Sequence, residues 1–229
     1  MITQAIIPAA GLGERLKNKI PKPLVLLKGK PLLIYCLETL DTCSLIDSVI
    51  LIVHPEWLEE YSKIIRQYKM IKVVKILPGG SERSQSVLEG LKALDSNTQM
   101  VLIHDGVRPF APINVIENAL LTCEQHGAVV AGVPVKSTIK RLELETQSVL
   151  ETIDRQSLWE IQTPQVFWKD IIWQAYEKAQ GFSATDDASL VERMGRKVKV
   201  IFGDYMNIKI TTQEDILLAE AFLENHHKI

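Results

Sequence analysis

Residues 4–16 read QAIIPAAGLGERL, an apolar run that leads directly into a loop of small residues. The run Gln4–Pro8 has the length and composition of a buried strand, and similar runs recur along the chain. The other predicted strands are Ser48–Val53, Val73–Leu77, Met100–His104, Ala128–Pro134 and Lys197–Phe202. Because these runs are apolar on both faces, they indicate a sheet that is covered on both sides.

Amphipathic segments of helix length separate most of these strands. They carry apolar residues at helical spacing and are Leu32–Leu40, Glu56–Tyr68, Ser84–Leu94 and Ile113–His126. The alternation predicts an α/β fold, a Rossmann-like, mostly parallel sheet with helices on both faces. A last helix is expected after Thr212, whose spacing to Asp215 makes a capping box. Its predicted apolar stripe is Ile216, Leu217, Ala219, Phe222 and Leu223.

One polar segment interrupts the alternation. Two short runs, Thr138–Leu142 and Val149–Ile153, flank a polar turn at 143–148 and predict a β-hairpin. The hairpin is too polar to belong to a core, so we expect it to protrude as an inserted arm at about residues 137–155. The remainder of 1–229 shows no linker or repeat, which predicts a single domain.

Composition and charge exclude several classes of protein. The 229 residues include 26 Lys and Arg and 28 Asp and Glu, giving a net charge of −2, which disfavours a nucleic-acid-binding protein. No apolar run approaches the ~18 residues that a membrane span requires. The three cysteines form no CxxC pair and are expected to be reduced thiols. These features predict a cytoplasmic protein that binds neither membranes nor nucleic acid.

The loop after the first predicted strand suits phosphate binding, because small residues let backbone N–H groups approach a phosphate closely. A dinucleotide fingerprint fails here, since Leu16 stands where its third glycine belongs and the second strand ends without an acid. A P-loop is absent too, because Pro31 follows Gly29-Lys30. Arg15 and Lys22 favour a phosphate site over a simple tight turn, since nucleotidyl transfer needs positive charge beside the phosphates.

Six segments in fixed order carry a resemblance to a known family. They are PAAGLGERL (8–16) with Lys22, GGSERSQSV (79–87), HDGVRPF (104–110), DRQSLWEIQTPQVF (154–167), ATDDAS (184–189) and NIKIT (207–211). In these segments the chain resembles the 2-C-methyl-D-erythritol 4-phosphate cytidylyltransferases of non-mevalonate isoprenoid biosynthesis. The resemblance implies the fold of nucleotide-diphospho-sugar transferases. It also implies transfer of CMP from CTP to a sugar-alcohol phosphate, with Mg²⁺ and release of pyrophosphate.

The resemblance assigns roles to individual residues. The implied catalytic residues are Arg15, Lys22 and Lys209, and the implied metal ligand is Asp105. The implied CTP-binding residues are Pro8, Ala9, Ala10, Gly11, Gly13, Gly80, Ser81, Ser86 and Gly106. The implied acceptor-binding residues are Arg108, Thr138, Arg155, Thr163 and Thr185. The hairpin is implied to be an arm exchanged between the subunits of a homodimer, where it completes the neighbouring site.

Several of these residues have a second interpretation. Asp105 follows a predicted strand, where it can bind Mg²⁺ or simply cap a turn before Gly106. Lys209 can act on the α-phosphate or be a solvated lysine on an edge strand. Ser81 and Ser84 can cap a helix as well as contact a base. The adjacent acids Asp186 and Asp187 favour a helix N-terminus over a metal site.

Alternative functions also remain open from the sequence. Pro23 follows Lys22, a pairing that is more common among sugar-nucleotide pyrophosphorylases, although these usually carry a further repeat domain. Related enzymes act on ribitol 5-phosphate, and the Asp154-Arg155 pair favours methylerythritol phosphate over that acceptor. A noncatalytic sensor would bind CTP and release no pyrophosphate. Cytidylyl transfer to methylerythritol phosphate is the leading prediction.

Overall fold

The structure, a computed structural model, describes residues 1–11, 20–179 and 184–226. Its strands are β1 (Thr3–Ala9), β2 (Leu26–Leu27), β3 (Lys30–Pro31), β4 (Ser48–Val53), β5 (Val73–Pro78), β6 (Met100–Ile103), β7 (Ala128–Pro134), β8 (Ile139–Glu143), β9 (Ser148–Ile153), β10 (Trp159–Trp168) and β11 (Lys199–Phe202). Its helices are α1 (Leu32–Thr42), α2 (Leu58–Gln67), α3 (Arg83–Lys92), α4 (Ile113–His126), α5 (Lys169–Lys178), α6 (Asp187–Arg193) and α7 (Gln213–His226). In the described part of the chain, no helix combines the length and apolar character that crossing a bilayer requires.

Seven strands form the central sheet in the order β11-β7-β10-β6-β1-β4-β5. Strand β1 pairs in parallel with β4 and with β6, and β11 pairs in parallel with β7. Strand β10 runs antiparallel to both β6 and β7. The prediction of a mostly parallel α/β sheet is confirmed, with this single reversal inside it.

Alternate residues of the central strands face two separate apolar layers. In β1, Ala5 and Ile7 pack with α1, α2 and α4, whereas Ile6 packs with α3, α5 and α6. Strand β4 divides in the same way, with Leu51 on the first side and Ile50 on the second. Helices therefore cover both faces, which explains why these strands carry apolar residues on both faces.

Strand β10 was not predicted from the sequence, because it does not look like a central strand. Its buried part includes Gln162, Gln165 and Pro164, and a proline cannot donate a hydrogen bond to a neighbouring strand. The register between β10 and β7 shifts between Ile161 and Gln165, so the proline lies in an irregularity where this donor is not needed.

Other differences from the predicted elements are small. Helix α2 begins at Leu58 and not at Glu56, because Pro55–Trp57 form a separate 3₁₀ turn. Strand β11 begins at Lys199, two residues later than predicted. The capping box before α7 is confirmed, since Asp215 N–H contacts Thr212 Oγ1 at 3.4 Å and Asp215 Oδ2 accepts from Thr212 N–H at 2.9 Å. The prediction that Leu217 belongs to the apolar stripe of α7 is wrong, because its side chain is exposed.

The predicted hairpin is present and forms a two-stranded sheet of its own. Strands β8 and β9 match the predicted bounds to within one residue and pair antiparallel from Ile139↔Ile153 to Glu143↔Ser148. All residues of β8 are exposed, and apolar side chains such as Leu144 and Leu150 lie 87% and 61% exposed. The hairpin thus adds nothing to the core of its own chain.

A close approach between α3 and β1 positions the helix whose first turn borders the candidate site. A Cβ atom added to Gly90 would lie 2.5 Å from Ile6 Cγ2, which is fully buried in β1. Only glycine therefore allows α3 to lie this close to the strand.

We predict that Gly90→Ala lowers the free energy of unfolding by about 1–3 kcal/mol through overpacking against Ile6. This opposes the gain of about 1 kcal/mol that alanine normally brings to a helix interior. Chemical denaturation measures the change, with Glu89→Ala on the same helix as a control that should stay within about 0.5 kcal/mol. A stabilised Gly90→Ala variant would contradict the close approach.

Candidate active site

A cavity of about 250 Å³ opens where β1 and β6 end and α3 begins. This edge lies at the carboxyl ends of parallel strands, where ligands bind in open α/β sheets. The described residues that line it include Pro8, Ala9, Ala10, Gly11, Lys22, Gly80, Ser81, Glu82, Arg83, Ser86, Asp105, Lys209 and Thr211. Three of them are cations (Lys22, Arg83 and Lys209) and two are acids (Glu82 and Asp105), so the cavity wall carries an excess of positive charge that suits an anionic ligand.

The carboxylate of Asp105 is the electrostatic centre of this wall. Its Oδ1 atom accepts from Arg83 Nε at 2.9 Å, and its Oδ2 atom lies 2.8 Å from Lys209 Nζ. Arg108 Nε lies 3.8 Å from the same Oδ2 atom. Burial opposes the charged form of Asp105, but the charges of Arg83, Lys209 and Arg108 outweigh this and hold its pKa well below the usual range.

Backbone and side-chain hydrogen bonds fix the segment that carries Lys209. Ile210 N–H donates to the carbonyl of Val107 at 3.0 Å, and Arg108 Nη1 donates to the carbonyl of Asn207 at 2.7 Å. Asn207 is fully buried and donates from Nδ2 to the carbonyl of Thr163 at 2.9 Å. Residues 207–211 are irregular and not a strand, which removes the interpretation of Lys209 as an edge-strand lysine.

A buried pair, His104 and Thr163, holds the backbone of Asp105. Thr163 Oγ1 accepts from Asp105 N–H at 3.0 Å and lies 3.0 Å from His104 Nδ1. His104 Nε2 faces the carbonyl of Arg108 at 3.3 Å, and because a carbonyl can only accept, Nε2 carries the proton of the neutral ring and Thr163 donates its hydroxyl hydrogen to Nδ1. Burial lowers the pKa of His104 to about 4, which keeps the ring neutral near pH 7.

The opposite wall of the cavity forms where the backbone before α3 passes close to the end of β1. A Cβ atom on Gly79 would lie 2.6 Å from Ser86 Oγ and 2.7 Å from Ala10 Cβ, so glycine lets the start of α3 approach the end of β1. The capping interpretation of Ser81 and Ser84 is wrong, because Glu82 occupies the N-cap position. Ser81 instead bonds to Gln85 Oε1 at 3.0 Å through both its N–H and its hydroxyl.

With this geometry in place, comparison with known proteins decides the family. A sequence model described as "IspD: 2-C-methyl-D-erythritol 4-phosphate cytidylyltransferase" matches residues 3–225. The chain belongs to this family. The curated 2-C-methyl-D-erythritol 4-phosphate cytidylyltransferase of Geotalea uraniireducens is 46% identical over 232 residues, covering 98% of both chains. The enzyme of that name from Geobacillus thermodenitrificans is 44% identical over 222 residues, covering 96% of both.

Solved structures of the family share the fold. A 4-diphosphocytidyl-2C-methyl-D-erythritol synthase from Anaerococcus prevotii superposes with a TM-score of 0.87 at 36% identity, over 97% of this chain and 96% of its own. A 2-C-methyl-D-erythritol 4-phosphate cytidylyltransferase from Thermus thermophilus gives 0.81 at 29% identity, over 97% and 98%. The resemblance that the sequence motifs carried is thereby confirmed.

The structure brings together one part of the residues that the family resemblance assigned. Those that line the cavity are Lys22, Lys209, Asp105, Pro8, Ala9, Ala10, Gly11, Gly80, Ser81 and Ser86. Arg15 and Gly13 lie outside the described residues. Those described residues that are not among the lining set are Gly106, Arg108, Thr138, Arg155, Thr163 and Thr185. The individual roles of all these residues stay predictions.

The assigned residues outside the cavity fall into a buried and an exposed group. Gly106, Arg108 and Thr163 lie just beneath the wall, where they support Asp105 and Lys209. Arg108 Nε has no hydrogen-bond partner and is buried, so this atom is available to a ligand that reaches it. Thr138, Arg155 and Thr185 are instead exposed. Thr138 and Arg155 lie near the ends of the hairpin, where Arg155 Nη1 donates to the carbonyl of Lys136.

The carboxylate of Asp105 suits a magnesium ion that is bound jointly by this residue and by the phosphates of a ligand. Residues 1–11, 20–179 and 184–226 hold no cluster of three or more His, Cys, Asp or Glu side chains that could cage a metal. Mg²⁺ is commonly bound by one or two carboxylates together with substrate phosphates, and ionised Asp105 supplies one such ligand. The side chain of Lys209 is 41% exposed and that of Arg83 is 28% exposed, so Lys209 is the partner that Mg²⁺ would displace more easily. Its displacement would free the Oδ2 atom of Asp105.

Sequence reasoning missed Arg83, which lines the cavity and contacts Asp105. A signal was available, because an arginine at the first position of a helix is disfavoured by the helix dipole unless an acidic partner stabilises it.

Asp186 was assigned correctly to a helix start, since its Oδ1 atom accepts from Ser189 N–H at 3.1 Å. Its neighbour Asp187 points elsewhere, into the interior and toward Arg83.

The hydroxyl of Thr163 gives a test of this construction. We predict that Thr163→Val costs about 1–3 kcal/mol of unfolding free energy, because the variant leaves Asp105 N–H and His104 Nδ1 buried without a partner. Denaturant titration measures the loss, and Thr163→Ser is the control, since it keeps the hydroxyl and should retain most of the stability. Equal stability of the valine and serine variants would rule out the hydrogen bonds described above.

Proposed function

We propose that this chain transfers CMP from CTP to 2-C-methyl-D-erythritol 4-phosphate, forming 4-diphosphocytidyl-2-C-methyl-D-erythritol and pyrophosphate in isoprenoid precursor synthesis. The proposal rests on one observation above all. An ionised carboxylate, Asp105, and the cations Lys22, Arg83 and Lys209 line one cavity beside small-residue backbone. The names of the family and of the relatives cited above supply the transferred cytidylyl group and the acceptor, and CTP is the donor that we propose.

The reaction is an in-line displacement at phosphorus. An oxygen of the acceptor phosphate attacks the α-phosphorus of CTP, a new P–O bond forms, and the bond to pyrophosphate breaks. The acceptor phosphate is already ionised near neutral pH, so the enzyme needs no protein nucleophile. Its work is alignment and charge stabilisation, and Lys22 and Lys209 are the cavity lysines placed to provide both.

We expect the enzyme to use Mg²⁺, held by Asp105 on the donor phosphates. The bound ion would supply neutralisation of charge on the phosphate oxygens. The protein's part is to keep Asp105 ionised, which the surrounding cations do. When Lys209 moves from Asp105 to a phosphate oxygen, it exchanges one charged partner for another and leaves Oδ2 available.

We place the cytosine base against the wall formed by Ala10, Gly80, Ser81 and Ser86. Ser86 is buried with its hydroxyl donating to the carbonyl of Glu82 at 3.2 Å, so its oxygen is fixed in orientation. Backbone groups at Ala10 and Gly80 lie on the same wall. Such rigid donors and acceptors discriminate a base edge well, since a mismatched base leaves them unpaired.

We further propose a cytoplasmic homodimer in which the hairpin β8–β9 reaches the neighbouring site. The hairpin exposes apolar side chains that its own chain leaves uncovered, among them Leu144 and Leu150. Thr138 and Arg155 are absent from the lining of their own cavity, so an acceptor site that includes them needs a second subunit. The three cysteines are buried and unpaired, as expected of a reducing compartment.

The reaction is tested by pyrophosphate release from CTP, Mg²⁺ and methylerythritol phosphate, compared with ribitol 5-phosphate as acceptor and with ATP, GTP and UTP as donors. We predict rapid release of pyrophosphate only with the pair CTP and methylerythritol phosphate, because fixed groups of the protein recognise both the base and the acceptor. A preference for ribitol phosphate would overturn the acceptor assignment. Binding of CTP without release would overturn the enzymatic function.

The shared site is tested by mixing two inactive variants, Arg155→Ala and Lys22→Ala, after subunit exchange. If each site takes Lys22 from one chain and Arg155 from the other, a mixed dimer contains one intact site. Random pairing then restores about a quarter of the wild-type activity. The control pairs Arg141→Ala with Lys22→Ala, because Arg141 lies on the same arm and bonds to Glu151 at 2.8 Å.

The Arg141→Ala chain should keep its activity when assayed alone, which separates damage to the arm from loss of the site. Failure of the Arg155→Ala and Lys22→Ala mixture to regain activity, while size-exclusion chromatography shows mixed dimers, would contradict the shared site. Such a result would place Lys22 and Arg155 in the same site of one chain.

A further inference from the structure

A chain of polar contacts runs from the cavity along the face of the sheet that α3, α5 and α6 cover. Arg83 Nε contacts Asp105 Oδ1 at 2.9 Å, and Arg83 Nη2 lies 2.8 Å from Asp187 Oδ2. The other oxygen of Asp187 accepts from Tyr176 Oη at 2.6 Å. The chain therefore links Tyr176 on α5, Asp187 on α6, Arg83 on α3 and Asp105 after β6.

The position of Asp187 is not explained by the needs of its own helix. Asp186 already caps α6, with its carboxylate accepting from Ser189 N–H, so Asp187 is not required for that purpose. Asp187 is only 1% exposed, and removing a carboxylate from water is costly unless its partners are well placed. Tyr176 donates a hydrogen bond to Oδ1, whereas Oδ2 accepts no well-aligned hydrogen bond and is held by the charge of Arg83, whose Nη2 atom forms an ion pair with it.

The position of Arg83, like that of Asp187, is not explained by the needs of its own helix. An arginine at the first position of α3 opposes the helix dipole, and its long side chain has many rotamers to restrict. Two carboxylates from different parts of the chain contact separate nitrogens of its guanidinium: Asp105 accepts a hydrogen bond from Nε, and Asp187 forms an ion pair with Nη2. Although burial opposes the charge, Asp187 and Asp105 raise the pKa of Arg83, so it remains a cation.

The second anchor decides how Arg83 meets Asp105. A guanidinium that is free to turn tends to bind both oxygens of a carboxylate as a bidentate pair. With Nη2 held by Asp187, Arg83 contacts Oδ1 through Nε, and Oδ2 is left to Lys209 at the cavity. Loss of the anchor would let Arg83 compete for the oxygen that the reaction needs.

We propose that Asp187, supported by Tyr176, is a positioning residue that fixes Arg83 so that only Oδ1 of Asp105 is occupied by it. This inference rests on the proposed cytidylyl transfer for its consequence in catalysis. Its structural part, the fixed guanidinium, stands independently of which substrates the enzyme takes.

The test compares Asp187→Asn with Asp186→Asn, two acids side by side at the start of α6. Asp187→Asn keeps the shape of the side chain and removes its charge. We expect kcat to fall about 10- to 100-fold, as is usual when a group that orients a ligand residue is changed, with a smaller effect on the KM for CTP. Asp186→Asn should keep wild-type kcat, although it also alters a hydrogen bond to Gln165.

A substrate-free readout comes from the Nε–H signal of Arg83 in protein labelled with ¹⁵N-arginine, assigned by its loss in Arg83→Lys. A guanidinium held at two nitrogens should give a slowly exchanging, shifted signal in the wild type and in Asp186→Asn. The signal should broaden or move in Asp187→Asn, and to a smaller extent in Tyr176→Phe. If Asp187→Asn does not fold, Tyr176→Phe decides the question in the same way.

The proposal is overturned if Asp187→Asn keeps the wild-type Nε–H signal and kcat, or if Asp186→Asn loses both equally. It is also overturned if the signal changes while kcat does not, since Arg83 would then be fixed without consequence. An inactive wild-type protein with the expected signal would instead refute the proposed function and leave the anchoring of Arg83 intact.

Discussion

The neutralisation of one buried carboxylate organises this edge of the protein. Asp105 begins the turn after β6 at 5% exposure, where a lone charge would be strongly destabilising. Its three cationic neighbours come from different parts of the chain: Arg83 from α3, Arg108 from the same turn and Lys209 from the segment before α7. Because these cations together offset the buried charge, folding and assembly of the cavity wall are coupled.

The antiparallel strand β10 provides the scaffold on which these groups are mounted. Gln162 bonds to the backbone of Asp204 and to Asn207, and thereby holds the segment that carries Lys209. Gln165 bonds to Asp186 and accepts from Ala188 N–H, and thereby holds the backbone at the start of α6. Polar side chains in a buried strand thus serve as connectors between loops, which explains why a central strand can carry them.

The sequence predicts the parts of this protein that obey local rules. Strands such as Ser48–Val53, and helix Ile113–His126, match their predicted bounds, because burial on both faces and helical periodicity leave clear patterns. Strand β10 was not predicted, since Gln162 and Pro164 are buried there because of contacts with distant parts of the chain, which no local sequence pattern shows. The family motifs located the cavity, but the partnership of Arg83 with Asp187, 104 positions apart, depends on packing that only the structure supplies.

The charge balance of the cavity explains how a chain with net charge −2 can bind a polyanion. Asp105 and Asp187 are opposed by Arg83, Arg108 and Lys209, so the linked groups keep an excess of one positive charge before Lys22 is counted. Lys209 is half-exposed and paired with Asp105, so in the proposed reaction a phosphate would compete with Asp105 for its charge. Arg83, held at both ends, cannot respond in this way. One carboxylate therefore has one fixed and one exchangeable partner, and this difference makes the site both stable without a ligand and ready to receive one.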